Sequence, residues 1–165
     1  MTIFAVNSQN QIAEVVRLAR EIWQEHYTPI IGQKQVDYML DRFQSENAIT
    51  AQLRDGYEYY LATQDAQNAG YAAINPNPKD ASLMLSKLYV RSSARGHGLG
   101  KRMLQFIEGL CRKRGLKTLW LTVNKNNVNS IAWYSRMGFQ NAGSVVQNIG
   151  GGFAMDDFRL EKTVG

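Results

Sequence analysis

Arg95-Gly96-His97-Gly98-Leu99-Gly100-Lys101 is the stretch on which the reading of this 165-residue chain turns. Before it, Ser82 to Arg91 is apolar enough for a central strand. After it, Met103, Leu104, Ile107, Leu110 and Cys111 recur at helical spacing. They predict a helix from Leu99 to Arg114, closed by Gly115. Three glycines between strand and helix let the backbone take positive φ and come close to a ligand. Their N–H groups, with those of the first helical turn, make a nest for an anion. The helix dipole adds about half a positive charge, and Arg95, Lys101 and Arg102 add whole ones. A pyrophosphate suits such a turn, although a plain glycine-rich connection has the same sequence.

Two other phosphate motifs do not fit. A dinucleotide fingerprint spaces its glycines G-x-G-x-x-G and has an acidic residue about twenty positions on. Here the spacing is G-x-G-x-G, and the next strand ends in Val123-Asn124. A P-loop needs Gly-Lys-Ser/Thr, which is absent at this spacing.

Outward from the turn, the chain alternates between periods. Thr2 to Val6 predicts a strand and Ser8 a helix cap. Ile12, Val15, Val16, Ala19, Ile22 and Trp23 predict a helix over 9–26, broken by Pro29 and Gly32. Helices follow over 33–43 and from Ser45 to near Gly56. Strands at 57–63 and 69–74 flank a turn, and Asn75-Pro76-Asn77-Pro78 reads as a loop. Beyond the central helix come a strand at 118–123, a helix at 128–137 and two strands at 139–147 and 153–160. The sum is one α/β (α+β) domain over 1–165 with a mostly antiparallel sheet.

Composition narrows the function. Apolar residues make up 44% and charged residues 20%, as in ordinary globular proteins. No apolar run approaches a membrane span, and the N-terminus lacks a signal-peptide pattern. One cysteine, Cys111, excludes an internal disulfide and a cysteine metal cluster, so no metal is expected and a cytoplasmic setting is the simplest. Residues 1–80 hold 6 Lys/Arg against 10 Asp/Glu, a net −4. Residues 81–165 hold 13 against 4, a net +9. Besides solvated helix faces, this division suits a polyanion held by the second half and a cation faced by the first.

With its flanking strand Leu88-Tyr89-Val90-Arg91, the turn resembles the signature Arg/Gln-x-x-Gly-x-Gly/Ala of the GCN5-related N-acetyltransferase (GNAT) family. A second segment is similar to that family's other motif. It runs Asn129-Ser130-Ile131-Ala132-Trp133-Tyr134-Ser135-Arg136-Met137-Gly138-Phe139, with Tyr134 four residues before Gly138. The resemblance covers nearly all of the chain. It implies a sheet of about seven strands flanked by four to five helices, with acetyl-CoA as co-substrate. Arg95, Gly96, His97, Gly98, Leu99, Gly100 and Lys101 would hold the pyrophosphate. Leu88, Tyr89 and Val90 would pair with the pantetheine through their backbone, and Asn124 and Asn129 would lie near it. Tyr134 would protonate the departing thiolate, and the acceptor amine would attack directly in a ternary complex. The residues support that role for Tyr134 independently, because a phenol near pKa ~10 can donate to a thiolate near ~8.5. Trp133 reads as a core aromatic, and Asn129 also reads as a helix cap.

The acceptor must lose a proton, since only about one in 2,500 lysine-like amines is neutral at pH 7. Glu25, His26, Glu58 and Asp156 are candidate bases, and none stands out. Trp23, Glu25, Tyr27, Glu58 and Asp156 are the candidate acceptor contacts. The segments around Trp23 to Ile31 and Gly150 to Phe158 look similar to bacterial spermidine/spermine acetyltransferases. A small cationic amine such as a polyamine is therefore one expected partner, and a protein N-terminus or lysine is the alternative. A homodimer is left open. A non-catalytic coenzyme A or nucleic-acid module is the rival class, but no nucleic-acid motif is present and no specific nucleic-acid partner is expected.

Overall fold

The glycine turn joins strand β4 (Ser82–Val90) to helix α4 (Leu99–Arg114), as the periodicity predicts. The computed structural model describes all residues 1–165. Ahead of β4 come β1 (Thr2–Ala5), α1 (Gln9–Ile31), α2 (Gln33–Phe43), α3 (Glu46–Arg54), β2 (Glu58–Gln64) and β3 (Gln67–Asn77). After α4 come β5 (Thr118–Asn124), α5 (Val128–Arg136), β6 (Gln140–Gly150) and β7 (Phe153–Thr163). Seven strands form one sheet in the order β1-β2-β3-β4-β5-β7-β6. The β4–β5 pair is parallel, whereas β1–β2, β2–β3, β5–β7 and β6–β7 are antiparallel. No helix is long and apolar enough to cross a membrane.

The residues cluster into two compact units. Unit 1 comprises Met1–Asn75 and Lys87–Phe106, and unit 2 comprises Pro76–Ser86 and Ile107–Gly165. In unit 1, α1 buries Ile12, Val15, Leu18, Ala19, Ile22 and Trp23. Ser8 begins it with a capping box, its side chain accepting from the Gln11 backbone while the Gln11 side chain accepts from the Ser8 N–H. Contrary to expectation, α1 runs through Pro29 and stops at Gly32. Pro29 sits in the last turn, where only one hydrogen bond is lost and its fixed φ is already helical. Gly32, at φ 86°, ends the helix by donating its N–H to Thr28 O at 3.0 Å.

At the end of α2, the buried Gln44 ties two strands together. Its Nε2 donates to the Tyr59 hydroxyl at 2.9 Å, and its Oε1 accepts from the Tyr71 hydroxyl at 2.7 Å. Burial pushes both phenols well above their ordinary pKa. Strand β3 also departs from expectation by continuing through Pro76 to Asn77, because proline is tolerated where a strand ends. Gly70 lets β3 pass close to β4. A Cβ there would stand 2.6 Å from Tyr89 O and 3.3 Å from Met103 Sδ.

In unit 2, Leu119, Leu121 and Val123 of β5 alternate inward. The nearly buried Glu108 takes an ion pair from Lys162 at 3.0 Å. Lys162 also donates to Met137 O at 2.8 Å, which satisfies a carbonyl at the end of α5. Helix α5 has no buried residue. Trp133 is therefore half-exposed rather than in the core.

Candidate active site

In unit 1 the turn has the geometry an anion nest needs. Gly96 takes φ 83° and Gly98 φ 76°, and a Cβ on either would meet nothing within 4 Å. Backbone conformation rather than crowding therefore calls for glycine at both. Residues Arg95 to Gly98 are exposed. The first backbone bond at the head of α4 joins Arg102 N to Gly98 O at 3.1 Å. The N–H groups of Leu99, Gly100 and Lys101 consequently have no partner inside the helix. Leu99 itself is buried and anchors the helix start. Arg95 donates from Nε to Val90 O at 3.1 Å, and Lys101 and His97 are exposed.

In unit 2, the parallel ladder between β4 and β5 pairs Ser82, Leu83 and Met84 with Thr118, Leu119 and Trp120. Leu88, Tyr89 and Val90 form the end of β4 and are half-buried. The Tyr89 hydroxyl is 2.7 Å from the Tyr27 hydroxyl, and the Tyr89 ring meets Trp23 edge-on at 5.6 Å. Lys87, two residues earlier on the same face of β4, has its ammonium pushed down to about 8 by burial. Arg91 closes the strand with a 2.9 Å ion pair to Glu21 of α1.

The expected acceptor contacts separate. Trp23 is only 1% exposed, so it is a core residue that backs Tyr27 and Tyr89 rather than a contact surface. Tyr27 is half-buried beside His26, with ring centres 4.8 Å apart. Burial, and then the Arg95 charge, lower the His26 pKa, so this imidazole is neutral at pH 7. Glu25 is exposed. Glu58 accepts a 2.7 Å bond from the Tyr60 hydroxyl.

In unit 2, Asn124 folds its own loop, with Oδ1 accepting from Asn126 N at 2.9 Å. Asn127, not Asn129, caps α5 through an Oδ1 bond from Ser130 N. Asn129 is exposed on the first turn. The cap falls at Asn127 because its carbonyl already receives Ile131 N at 3.1 Å. Tyr134 is half-buried, 5.3 Å from the Phe139 ring and 5.0 Å from Trp133. Asp156 is spent in a 2.9 Å ion pair with Lys125. Its neighbour Asp157, missed in the sequence, is 2% exposed and has a buried Oδ1 without a hydrogen-bond partner. Strand alternation announces that two adjacent aspartates face opposite ways. Only the register of β7 shows which one is covered. Cys111 is fully buried, and burial raises its thiol pKa, which leaves it a core residue. No group of three or more His, Cys, Asp or Glu is placed to hold a metal.

The acetyltransferase (GNAT) family model matches residues 15–139, and the chain belongs to that family. It is an acyl-CoA-dependent N-acetyltransferase with acetyl-CoA as co-substrate. An uncharacterized N-acetyltransferase in the pepI 3'region of Lactobacillus delbrueckii subsp. lactis is 23% identical over 164 residues, covering 95% of this chain and 94% of that one. The [ribosomal protein bS18]-alanine N-acetyltransferase of Escherichia coli strain K12 is 30% identical over 98 residues, 59% of this chain and 65% of that protein. The crystal structure of PaiA N-acetyltransferase from Thermoplasma acidophilum in complex with coenzyme A superposes with a TM-score of 0.78 at 21% identity, covering 99% of both chains.

Proposed function

We propose that the protein acetylates the primary amine of a small cationic molecule, polyamines included, by direct attack on acetyl-CoA in a ternary complex. The nest at Gly96 to Lys101 is the observation that carries the coenzyme half of this reading. Arg95 and Lys101 supply charge for the pyrophosphate, and the β4 edge at Leu88 to Val90 supplies backbone partners for the pantetheine and an N–H for the acetyl carbonyl. Bound there, the thioester supplies the activated acetyl group. Tyr134 is assigned by its motif position to hand its phenolic proton to the departing sulfur.

The cationic acceptor rests on two features. Residues 1–80 are net acidic, and Tyr27 and Tyr89 are two half-exposed aromatics that attract an ammonium. A protein N-terminus is the second reading, favoured by the stretch that is 30% identical to the Escherichia coli alanine N-acetyltransferase. Thiol release from acetyl-CoA across a panel of amines decides between them. Spermidine outpacing a peptide that begins with alanine is the expected result, and the reverse order would move the assignment to protein N-termini.

A further inference from the structure

Strand β6 of unit 2 ends the sheet, beside β7. From Gln140 to Asn148 its residues are exposed, apart from the half-buried Val145. A strand that ends a sheet turns alternate N–H and C=O groups away from its neighbour, where they can template a further strand. Folded chains blunt such edges with charge, proline or a short strand. β6 is eleven residues long and has neither proline nor charge. The nineteen residues from Met137 to Met155 contain no Asp, Glu, Lys, Arg or His, in a chain where charged residues make up 20%. Only the ends of β6 are irregular, with register shifts between Asn141 and Gly143 and between Asn148 and Gly150. At each, the asparagine Oδ1 accepts the glycine N–H at 2.9 Å. Between them, Ser144 to Asn148 pair regularly with Phe158 to Ala154. The midpoint of that run, Val146, is 69% exposed, more than any other large apolar side chain.

We propose that the β6 edge is a dimer interface, Ser144 to Asn148 pairing antiparallel with the same run of a second copy. With the two-fold axis at Val146, that side chain meets its own counterpart. Val145 then lies opposite Gln147, and Ser144 opposite Asn148. A two-fold contact sets residues near the axis against themselves, so a charge there would face its own sign. The run satisfies that condition throughout. Two valines facing each other bury apolar surface. Ser, Asn and Gln side chains both donate and accept, so each can bond its like. Two copies that each carry a net +5 repel one another, and the uncharged edge adds nothing to that repulsion. An acidic partner, by contrast, would find no cation on β6 to pair with. Each copy has one β6, so the association closes at two. A single ladder of this length is small beside the ~1,200–2,000 Å² of a standard interface, so the dimer is reversible and forms as concentration rises. None of this depends on which amine accepts the acetyl group.

Sedimentation equilibrium over a rising concentration series tests this on the native chain, Val146→Lys and Val146→Thr. The native chain should pass from one copy to two and no further. Val146→Lys brings two ammonium groups together at the axis and should weaken dimerisation by ~10-fold or more. Val146→Thr keeps a branched, uncharged side chain and should still dimerise. A native chain that stays monomeric at every concentration overturns the proposal and leaves the edge to a strand of another protein. Growth beyond two copies overturns it too, as does a dimer that Val146→Lys leaves intact. Should Val146→Lys fold poorly, amide hydrogen exchange on the native chain decides. The outward amides between Ser144 and Asn148 should exchange more slowly as concentration rises, and rates that do not change with concentration would contradict the pairing.

Discussion

At pH 8 the Asp157 carboxyl carries a charge in a place that disfavours charge. Its native pKa, raised from 3.8 to about 6, means that the folded chain holds the proton more tightly than the unfolded one. Stability from this group is therefore full below about pH 4 and is lost as pH rises through about 6. A shift of two units corresponds to roughly 3 kcal/mol. Asp157→Asn should accordingly gain stability over the native chain in urea melts at pH 8, by up to about that amount, and little at pH 4. An equal difference at both pH values would show that the carboxyl is not held this way. At this scale the sequence was only partly legible. Tyr134 and the glycines stand in motifs whose spacing is local. The choice between Asp156 and Asp157, or between Asn127 and Asn129, depends on which side of a strand is covered and on where a helix starts, and neither is written in nearest-neighbour order.

The elements were more readable. Helices α2 and α4 fall where apolar spacing places them, because a period of 3.6 with a clear stop needs no tertiary information. Pro29 and Pro76 misled because the cost of a proline depends on how close the element's end lies. The contact between β3 and β4 also had no sequence signal beyond Gly70. Gly70→Ala places a Cβ 2.6 Å from a backbone oxygen, and overpacking of that kind typically costs about 1–3 kcal/mol. Chemical denaturation should show a loss in that range, and a neutral effect would mean that β4 yields easily. The Gln44 bonds to Tyr59 and Tyr71 set a second check. Gln44→Leu leaves two buried hydroxyls short of a partner and should cost about 1–3 kcal/mol, read as a fall in the melting midpoint with little change in affinity for coenzyme A.

On the scale of the whole molecule, charge separates the two halves of the sequence. The net +9 of residues 81–165 suits a polyanionic co-substrate, and it gives coenzyme A binding a dependence on ionic strength. Affinity should fall between 0.05 and 0.5 M salt, on the order of the screening expected for exposed charges. The same charge made a nucleic-acid module conceivable from composition alone. Under the proposed function the glycine turn separates the two ligands, since it would take a single pyrophosphate rather than a run of phosphates. The central claim is therefore tested most directly by a thermal-shift titration with coenzyme A, 4'-phosphopantetheine and duplex DNA on the native chain and on Gly98→Ala. Coenzyme A at a hundred times its Kd should stabilise the native chain by about 2.7 kcal/mol. 4'-Phosphopantetheine, which lacks the pyrophosphate, should stabilise it far less. Gly98→Ala, which strains the φ of 76° without a clash, should weaken the coenzyme A response. Stabilisation by DNA without any response to coenzyme A would contradict the account.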